Sequence, residues 1–179
     1  GSNGSTVTIA GTTYQTSAID SITIVPQIVV TYSAASATVS IPASVKSDVT
    51  ATVDGAYVTL TNTNVANEVE VVLSGGSTDG GFTYEGSYKT TLRLDGLTLT
   101  SQRGAALDIQ CGKRVALVLE DGTTSILADY AQGGQKACLY CKGHLELKGQ
   151  GTLNIYAYGT AAHGIKTGDY CEMRKCTVN

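Results

Sequence analysis

The chain has 179 residues, a formal net charge of −3 at pH 7 and only 15% charged residues. Its 42% of hydrophobic residues excludes a disordered chain, its weak negative charge gives no basis for nucleic-acid binding, and no apolar run reaches the ~20 residues that span a bilayer. Thr, Val and Ile account for 25, 16 and 10 residues, and because their branched Cβ atoms favour strands over helices, the composition predicts an all-β protein.

The first third of the chain has the pattern of an N-terminal antiparallel β segment. Residues 1–5 have the composition of a polar leader or an expression scar. Apolar residues then alternate with polar ones through Val49–Val53 and again through Val58–Leu60, with Asp54-Gly55 between the two runs. Two short alternating runs around Asp-Gly predict a β-hairpin.

An internal repeat of three rows begins near residue 67. The first row recurs at intervals of 25, 30 and 26 residues and consists of Leu92, Leu117, Leu147 and Met173. The two accompanying rows are Tyr84, Ile109, Leu139 and Ile165, and Leu99, Ile126, Leu153 and Val178. Three short strands per turn, with no helix between them, predict a right-handed parallel β-helix of about four coils. An antiparallel sandwich also gives short strands at similar spacing and stays open as the alternative.

Charge and cysteine are unevenly distributed along the chain. Residues 1–88 hold one cation and seven acids, whereas residues 89–179 hold eleven cations, eight acids and all five cysteines. Together with the start of the repeat, this asymmetry predicts an N-terminal β module or cap over residues 1–66 and a β-helix over residues 67–179. Cys176–Asn179 has the pattern of a strand that has only begun, which predicts that the natural protein continues and that the β-helix is truncated here.

Three short stretches of the repeat carry the motifs of a known family. They are Leu92–Leu99 (LRLDGLTL), Leu117–Thr123 (LVLEDGT) and Ala161–Thr167 (AAHGIKT). In their order and spacing they resemble the carbohydrate-binding β-helix domain family of gut Bacteroidetes and cellulose-degrading clostridia, which is structurally akin to polysaccharide lyases. The segment Tyr14–Ile24 resembles the stretch that follows the lipid anchor of Bacteroidetes surface proteins.

The resemblance implies a function and a location. It implies non-catalytic binding of a polysaccharide or oligosaccharide in an extracellular, cell-surface or periplasmic setting, with membrane attachment only through a lost lipid anchor. Some members bind Ca²⁺, so the resemblance implies Ca²⁺ as a candidate cofactor, with Asp121 and Asp169 as its candidate ligands. Such members often carry extra acids after the His-Gly-Ile motif, where this chain has Asp169 alone.

The candidate sugar-binding residues are exposed tyrosines. If Ile155 and Ala157 point inward, strand alternation turns Tyr156 and Tyr158 outward together, and the same argument turns Tyr140 outward on another strand. A tyrosine ring offers a flat apolar face with a polar tip, which suits stacking on sugar rings. The alternative is that these residues are present only because tyrosine is a good strand former.

The cysteines and histidines give a weaker chemical signal. Cys138 and Cys141 form a C-x-x-C pattern with His144 close behind, which is compatible with zinc or redox chemistry. On a strand, however, residues three apart point to opposite faces, so these two thiols do not converge on one metal. Cys111 and Cys141 occupy equivalent repeat positions, which predicts a ladder of small core residues and leaves a disulfide between them open.

Two further function classes remain alongside carbohydrate binding. A structural or adhesive stalk would use the repeats only to extend a rigid rod. A Ca²⁺-dependent polysaccharide lyase would need clustered acids beside a Lys or Arg base, and the acids of this chain do not fall in one row of the repeat. The sequence therefore predicts a non-catalytic protein with no catalytic residue.

Overall fold

The computed structural model describes residues 5–9, 11–15, 24–132 and 134–179. The strands of this part are β1 (Thr6–Ile9), β2 (Thr12–Gln15), β3 (Gln27–Ser33), β4 (Ser36–Ser40), β5 (Val49–Asp54), β6 (Ala56–Asn62), β7 (Glu70–Ser77), β8 (Gly80–Gly86), β9 (Thr90–Ser101), β10 (Leu107–Cys111), β11 (Val115–Leu119), β12 (Thr124–Asp129), β13 (Leu139–Cys141), β14 (Leu145–Gly149), β15 (Thr152–Ala157), β16 (Ile165–Thr167), β17 (Cys171–Arg174) and β18 (Thr177–Val178). Besides them there is one 3₁₀ turn, Ala43–Val45, and no helix in the described ranges is long and apolar enough to cross a membrane.

The strands wind into a parallel β-solenoid of about five turns. On one side β6, β8, β10, β13 and β16 stack in parallel, with β5 at the edge, to form a six-stranded sheet. On the other side the long strand β9 pairs through its first half with β11 and through its second half with β12. From there β14 and β17 continue one stack, and β15 and β18 continue the other. The prediction of a parallel β-helix is confirmed.

Strands β3 to β6 join the same two sheets, whereas β1 and β2 form a separate antiparallel two-stranded sheet. Antiparallel hairpins form between β3 and β4 and between β5 and β6, as the Asp54-Gly55 turn predicts for the second pair. β3 then pairs in parallel with β7, and β6 with β8, so both hairpins are hydrogen-bonded to the coils. A module boundary at residues 66 and 67 stays a prediction. Residues 1–4 of the polar leader, and residues 16–23 of the segment that resembles a lipid-anchor linker, lie outside the described residues.

The first predicted row of the repeat is confirmed, and the second is wrong in one position. Leu92, Leu117, Leu147 and Met173 are cross-strand partners in successive coils. In the second row, Leu139 pairs with Leu107 and with Ile165, not with Ile109. The partner of Ile109 is Cys141, so the predicted register of Cys141 on Cys111 is wrong by two residues.

The third predicted row is wrong at Ile126. Leu99 pairs with Leu127, and Ser125 is the buried neighbour of Leu153 in the next coil. A serine is tolerated inside because its Oγ accepts a hydrogen bond from the backbone N–H of Leu97 at 3.1 Å. A buried polar atom with a partner costs little, so here a hydrogen-bonded serine replaces the apolar residue that the pattern favours.

Candidate functional site

Three tyrosines from two adjacent coils lie together on the outer surface. Tyr156 is on β15 and Tyr158 follows that strand, while Tyr130 follows β12 in the preceding coil. The rings of Tyr130 and Tyr158 are 4.9 Å apart between centroids with planes 22° apart, and those of Tyr156 and Tyr158 are 6.0 Å apart with planes 11° apart. We call Tyr130, Tyr156 and Tyr158 the tyrosine cluster.

The tyrosine cluster is open to solvent. Its members are 45%, 44% and 58% exposed in the order Tyr130, Tyr156 and Tyr158. None of the three phenol hydroxyls has a hydrogen bond to another residue that the structure describes. Parallel rings at these separations form offset stacks, which leave outer ring surface and the hydroxyl tips available to a ligand.

The backbone beneath the tyrosine cluster is fixed by the coil stacking. Tyr130 donates its N–H to the carbonyl of Ser101 at 2.9 Å, and Tyr158 donates its N–H to the carbonyl of Asp129 at 3.0 Å. The side chain of Asp129 is 1% exposed and accepts from Nε2 of Gln135 at 3.4 Å. Burial raises the pKa of Asp129, and the neighbouring Gln135 and the backbone of Gly159 partly offset that rise.

Tyr140 does not belong to the tyrosine cluster. It lies on β13 in the six-stranded sheet, whereas Tyr156 lies on β15 in the other sheet. The expectation that its ring is exposed is wrong, because Tyr140 is only 8% exposed. Lys136 covers it, with Nζ 4.6 Å from the ring centroid and 3.2 Å from the hydroxyl oxygen, to which it donates. A role of Tyr140 in sugar binding stays a prediction.

The cysteines are free thiols, and three of them belong to the core. Cys111, Cys138 and Cys141 are buried. Burial raises the pKa of Cys138 to about 12 and that of Cys141 to about 11, so neither thiol is ionised at neutral pH. The reading of Cys111 and Cys141 as small core residues is confirmed, although their register differs from the predicted one.

The two predicted calcium ligands lie on different turns of the solenoid. Asp121 follows β11, and its Oδ1 accepts the backbone N–H of Gln150 at 2.8 Å. Asp169 lies between β16 and β17 and is exposed. Across the described part of the chain, no group of three or more His, Cys, Asp or Glu side chains is arranged to hold a metal ion. Ca²⁺ takes six to eight oxygen ligands, so the residues present do not fit the ion at these positions.

His144, the histidine of the C-x-x-C region, makes a packing contact. Its ring lies 3.7 Å from that of Tyr170 between centroids, and its Nε2 is 3.8 Å from a carboxylate oxygen of Glu172. The buried Nε2 has no hydrogen-bond partner among the described residues. These contacts place His144 in the packing of a turn.

A family model described as "Carbohydrate-binding domain-containing protein" matches residues 54–179, which is most of the chain. The chain belongs to this family. The matched region of the carbohydrate-binding domain contains all three motifs on which the predicted resemblance rested, so that resemblance is confirmed.

One solved structure resembles the carbohydrate-binding domain. It is the polysaccharide lyase-like protein from C. thermocellum, a gadolinium derivative, with a TM-score of 0.67 and 21% sequence identity. The match covers 87% of this chain and 61% of that one, so this chain spans less than two thirds of its length. At this identity the likeness shows the fold alone. No curated protein matches the chain.

Proposed function

We propose that the domain binds a polysaccharide without cleaving it, and that the tyrosine cluster is its binding surface. Membership of a carbohydrate-binding family supports the ligand class. The choice of surface is supported by three exposed tyrosine rings that stack across two coils. Exposed apolar rings cost solvation free energy, which a bound sugar ring would recover by covering them.

The surroundings of the tyrosine cluster suit an extended, hydroxyl-rich chain. The neighbour of Tyr156 in the preceding coil is Ala128, and the next along that row is Thr100. Only small side chains therefore lie beside the ring in this row. Asn154 lies two residues before Tyr156 on the same face of β15 and offers an amide. Binding would combine ring stacking with hydrogen bonds from the phenol hydroxyls and this amide.

The proposal includes a location outside the cytoplasm, on the cell surface, in the periplasm or in the extracellular medium. Polysaccharides are encountered there, and the buried thiols are compatible with an oxidising setting. Cys138 and Cys141 are protonated and enclosed, so they are poor targets for oxidation or disulfide exchange. Protease treatment of intact cells, which degrades only surface-exposed protein, checks the cell-surface location.

The test of the binding surface is the double variant Tyr156→Ala with Tyr158→Ala. We expect binding on a glycan array to be lost while the melting temperature stays near that of the wild type, because both side chains are exposed. Tyr14→Ala, at a tyrosine with a similar 45% exposure on β2, is the matched control and should bind normally. Unchanged affinity of the double variant would assign binding elsewhere.

Two other outcomes would contradict the proposed activity itself. A wild-type chain that binds no plant or host glycan would favour the structural or adhesive stalk. A Ca²⁺-dependent rise in ultraviolet absorbance on pectin would show lyase activity, since elimination creates an absorbing double bond.

A further inference from the structure

A groove lies over the outer face of the six-stranded sheet, whereas Tyr156 lies on β15 in the other sheet. It consists of three clefts of about 180, 260 and 790 Å³. Asp108 on β10 lines all three, so we call this feature the Asp108 groove. From Tyr57 on β6 to Tyr140 on β13 the groove crosses three strand spacings, which is about 14 Å and longer than one sugar ring.

Asp108 is a desolvated carboxylate in the middle of this groove. Its Oδ1 accepts from Nε2 of Gln110 at 2.7 Å, and its Oδ2 receives no hydrogen bond from any residue that the structure describes. Burial raises its pKa, the nearby Glu85 raises it further, and Gln110 and Lys136 act in the opposite direction. Oδ2 is open to the groove, so a donor from a ligand or from water can reach it.

Each end of the Asp108 groove is formed by a cation lying on a tyrosine ring. At one end Arg103 lies 4.0 Å above the ring centroid of Tyr57 and donates to Asp54 at 2.6 Å. The hydroxyl of Tyr57 is held as well, since it donates to Asp79 at 2.6 Å. At the other end the Lys136–Tyr140 pair described above forms the wall. These contacts fix both walls before any ligand arrives, which reduces the entropy cost of binding.

The charges and the backbone of the groove select the ligand class. The cations Arg103, Lys136 and Lys142 are matched by at least as many acids. Glu85 and Asp108 line the groove, Asp54 pairs with Arg103, and Asp79 accepts from the Tyr57 hydroxyl. A polyanion therefore gains no net attraction. A peptide would need free backbone groups, but β8 and β10 are each paired on both sides. The remaining class is a neutral ligand with many donors and acceptors along its length.

We propose that the Asp108 groove is a second binding site, for a neutral, hydroxyl-rich oligosaccharide, separate from the tyrosine cluster. The proposal rests on the proposed carbohydrate-binding function for its ligand class. A sugar hydroxyl donates to Oδ2 of Asp108, and neighbouring sugar oxygens accept from Lys136 and Arg103. Tyr140 contributes here as the support of Lys136, although its own ring is covered.

The experiment is isothermal titration with neutral cello-, xylo- and manno-oligosaccharides. The groove variant is Asp108→Asn with Lys136→Ala, and the single variant Lys136→Ala, at an exposed loop residue, is tested alongside in case the double variant does not fold. Asp95→Asn, at an exposed residue of β9, makes the same charge change as Asp108→Asn outside the groove. The Tyr156→Ala, Tyr158→Ala variant reports the tyrosine cluster. We expect the groove variants to lower the stoichiometry from two to one, or the affinity about tenfold or more.

The outcomes separate this proposal from the proposed function. A groove variant that binds like the wild type, while the tyrosine variant loses all binding, overturns the second site and leaves the proposed function intact. Loss of binding in the groove variants alone supports the groove and removes the tyrosine cluster as a site. A wild-type chain that binds no oligosaccharide of the panel and no glycan on the array overturns both proposals.

Discussion

Asp129 connects the two coils that carry the tyrosine cluster. It lies directly before Tyr130, its carbonyl accepts the N–H of Tyr158, and its carboxylate lies against Gly159. A Cβ at Gly159 would overlap that carboxylate, so the chain has a glycine where the two turns meet. The geometry of the tyrosine cluster therefore depends on a carboxyl group that is completely buried.

Replacement of Asp129 separates the roles of its shape and its charge. Burial raises the pKa of Asp129, so its protonated form favours the folded state. This contribution to folding stability is full below the unfolded pKa and is lost as pH rises through the folded value. Asp129→Asn keeps an acceptor for Gln135 without the charge, and we expect it to be at least as stable as the wild type at pH 7. Asp129→Ala leaves Gln135 without that acceptor and should cost about 1–3 kcal/mol. Urea unfolding of both variants at pH 7 measures this, and an Asn variant less stable than the Ala variant would contradict it.

The cysteines should differ sharply in reactivity. Cys171 is exposed, whereas Cys138 and Cys141 are buried with a pKa of about 12 and about 11. Because the thiolate is the reacting species, iodoacetamide at pH 8 should label Cys171 in the folded protein and leave the other two unlabelled. Peptide mass spectrometry reads the labelled positions, and denaturation in urea, which should make all of them react, is the control. Rapid labelling of Cys138 in the folded chain would contradict its place in the core.

At the scale of the strands, the pattern of residues predicts faces better than it predicts register. A shift of one residue turns every side chain to the other face, but a shift of two keeps the same faces inward. The prediction that Leu139 pairs with Ile109 was wrong by two for this reason, since Leu107 is equally apolar. The pattern also had no means of placing Ser125 inside, because its partner, the N–H of Leu97, comes from another coil.

The candidate site was predictable in part for the same reason. Alternation along a single strand is enough to bring Tyr156 and Tyr158 to one face, and the structure agrees. The approach of Tyr130 depends on the register between coils across a long loop, which local pattern does not define. Tyr140 is covered by Lys136 from that loop, so alternation along β13 could not predict the burial of Tyr140 either.

The turns between strands set how closely the coils stack, and Gly149 at the end of β14 is the clearest case. Its φ is +95°, and a Cβ there would overlap the carbonyl oxygen of Leu119 in the preceding coil. Gly149→Ala should therefore destabilise the fold through both backbone strain and a clash, by about 2–4 kcal/mol. Gly122→Ala is the control, since Gly122 also has a positive φ of +74° but open space around its Cβ position. Thermal unfolding compares them, and equal losses would show that the clash contributes nothing.

At the scale of the whole molecule, the uneven charge along the sequence becomes a set of contacts between coils. The acidic first half contributes Glu68 and Glu70, which form ion pairs with cations of the basic second half. Arg93 joins Glu70 to Glu120, and Arg114 joins Glu68 to Glu146. Segments of opposite net charge are therefore stacked on one another along the solenoid.

Glu146 is the most buried carboxylate of this network, at 8% exposure. Burial acts to raise its pKa, but Lys148, Arg114 and Arg174 outweigh it and hold the pKa below the ordinary value of 4.5. A lowered folded pKa means that the stabilising contribution is present above the unfolded pKa and is lost as pH falls through the folded value. The solenoid should therefore lose stability in acid as this carboxylate takes up a proton.

The substitution Arg114→Met tests this coupling, because it keeps an apolar stem and removes the charge between Glu68 and Glu146. We expect a loss of about 1–2 kcal/mol at pH 7, intermediate between an exposed and a buried ion pair. The loss should shrink as pH falls below 4.5, since a protonated Glu146 no longer needs the cation.

Lys113→Met, at the adjacent exposed lysine that forms no ion pair with a described residue, controls for the charge change. Denaturant unfolding from pH 7 to pH 3.5 measures both variants, and a loss for Arg114→Met that stays constant with pH would show that the cation acts through packing alone.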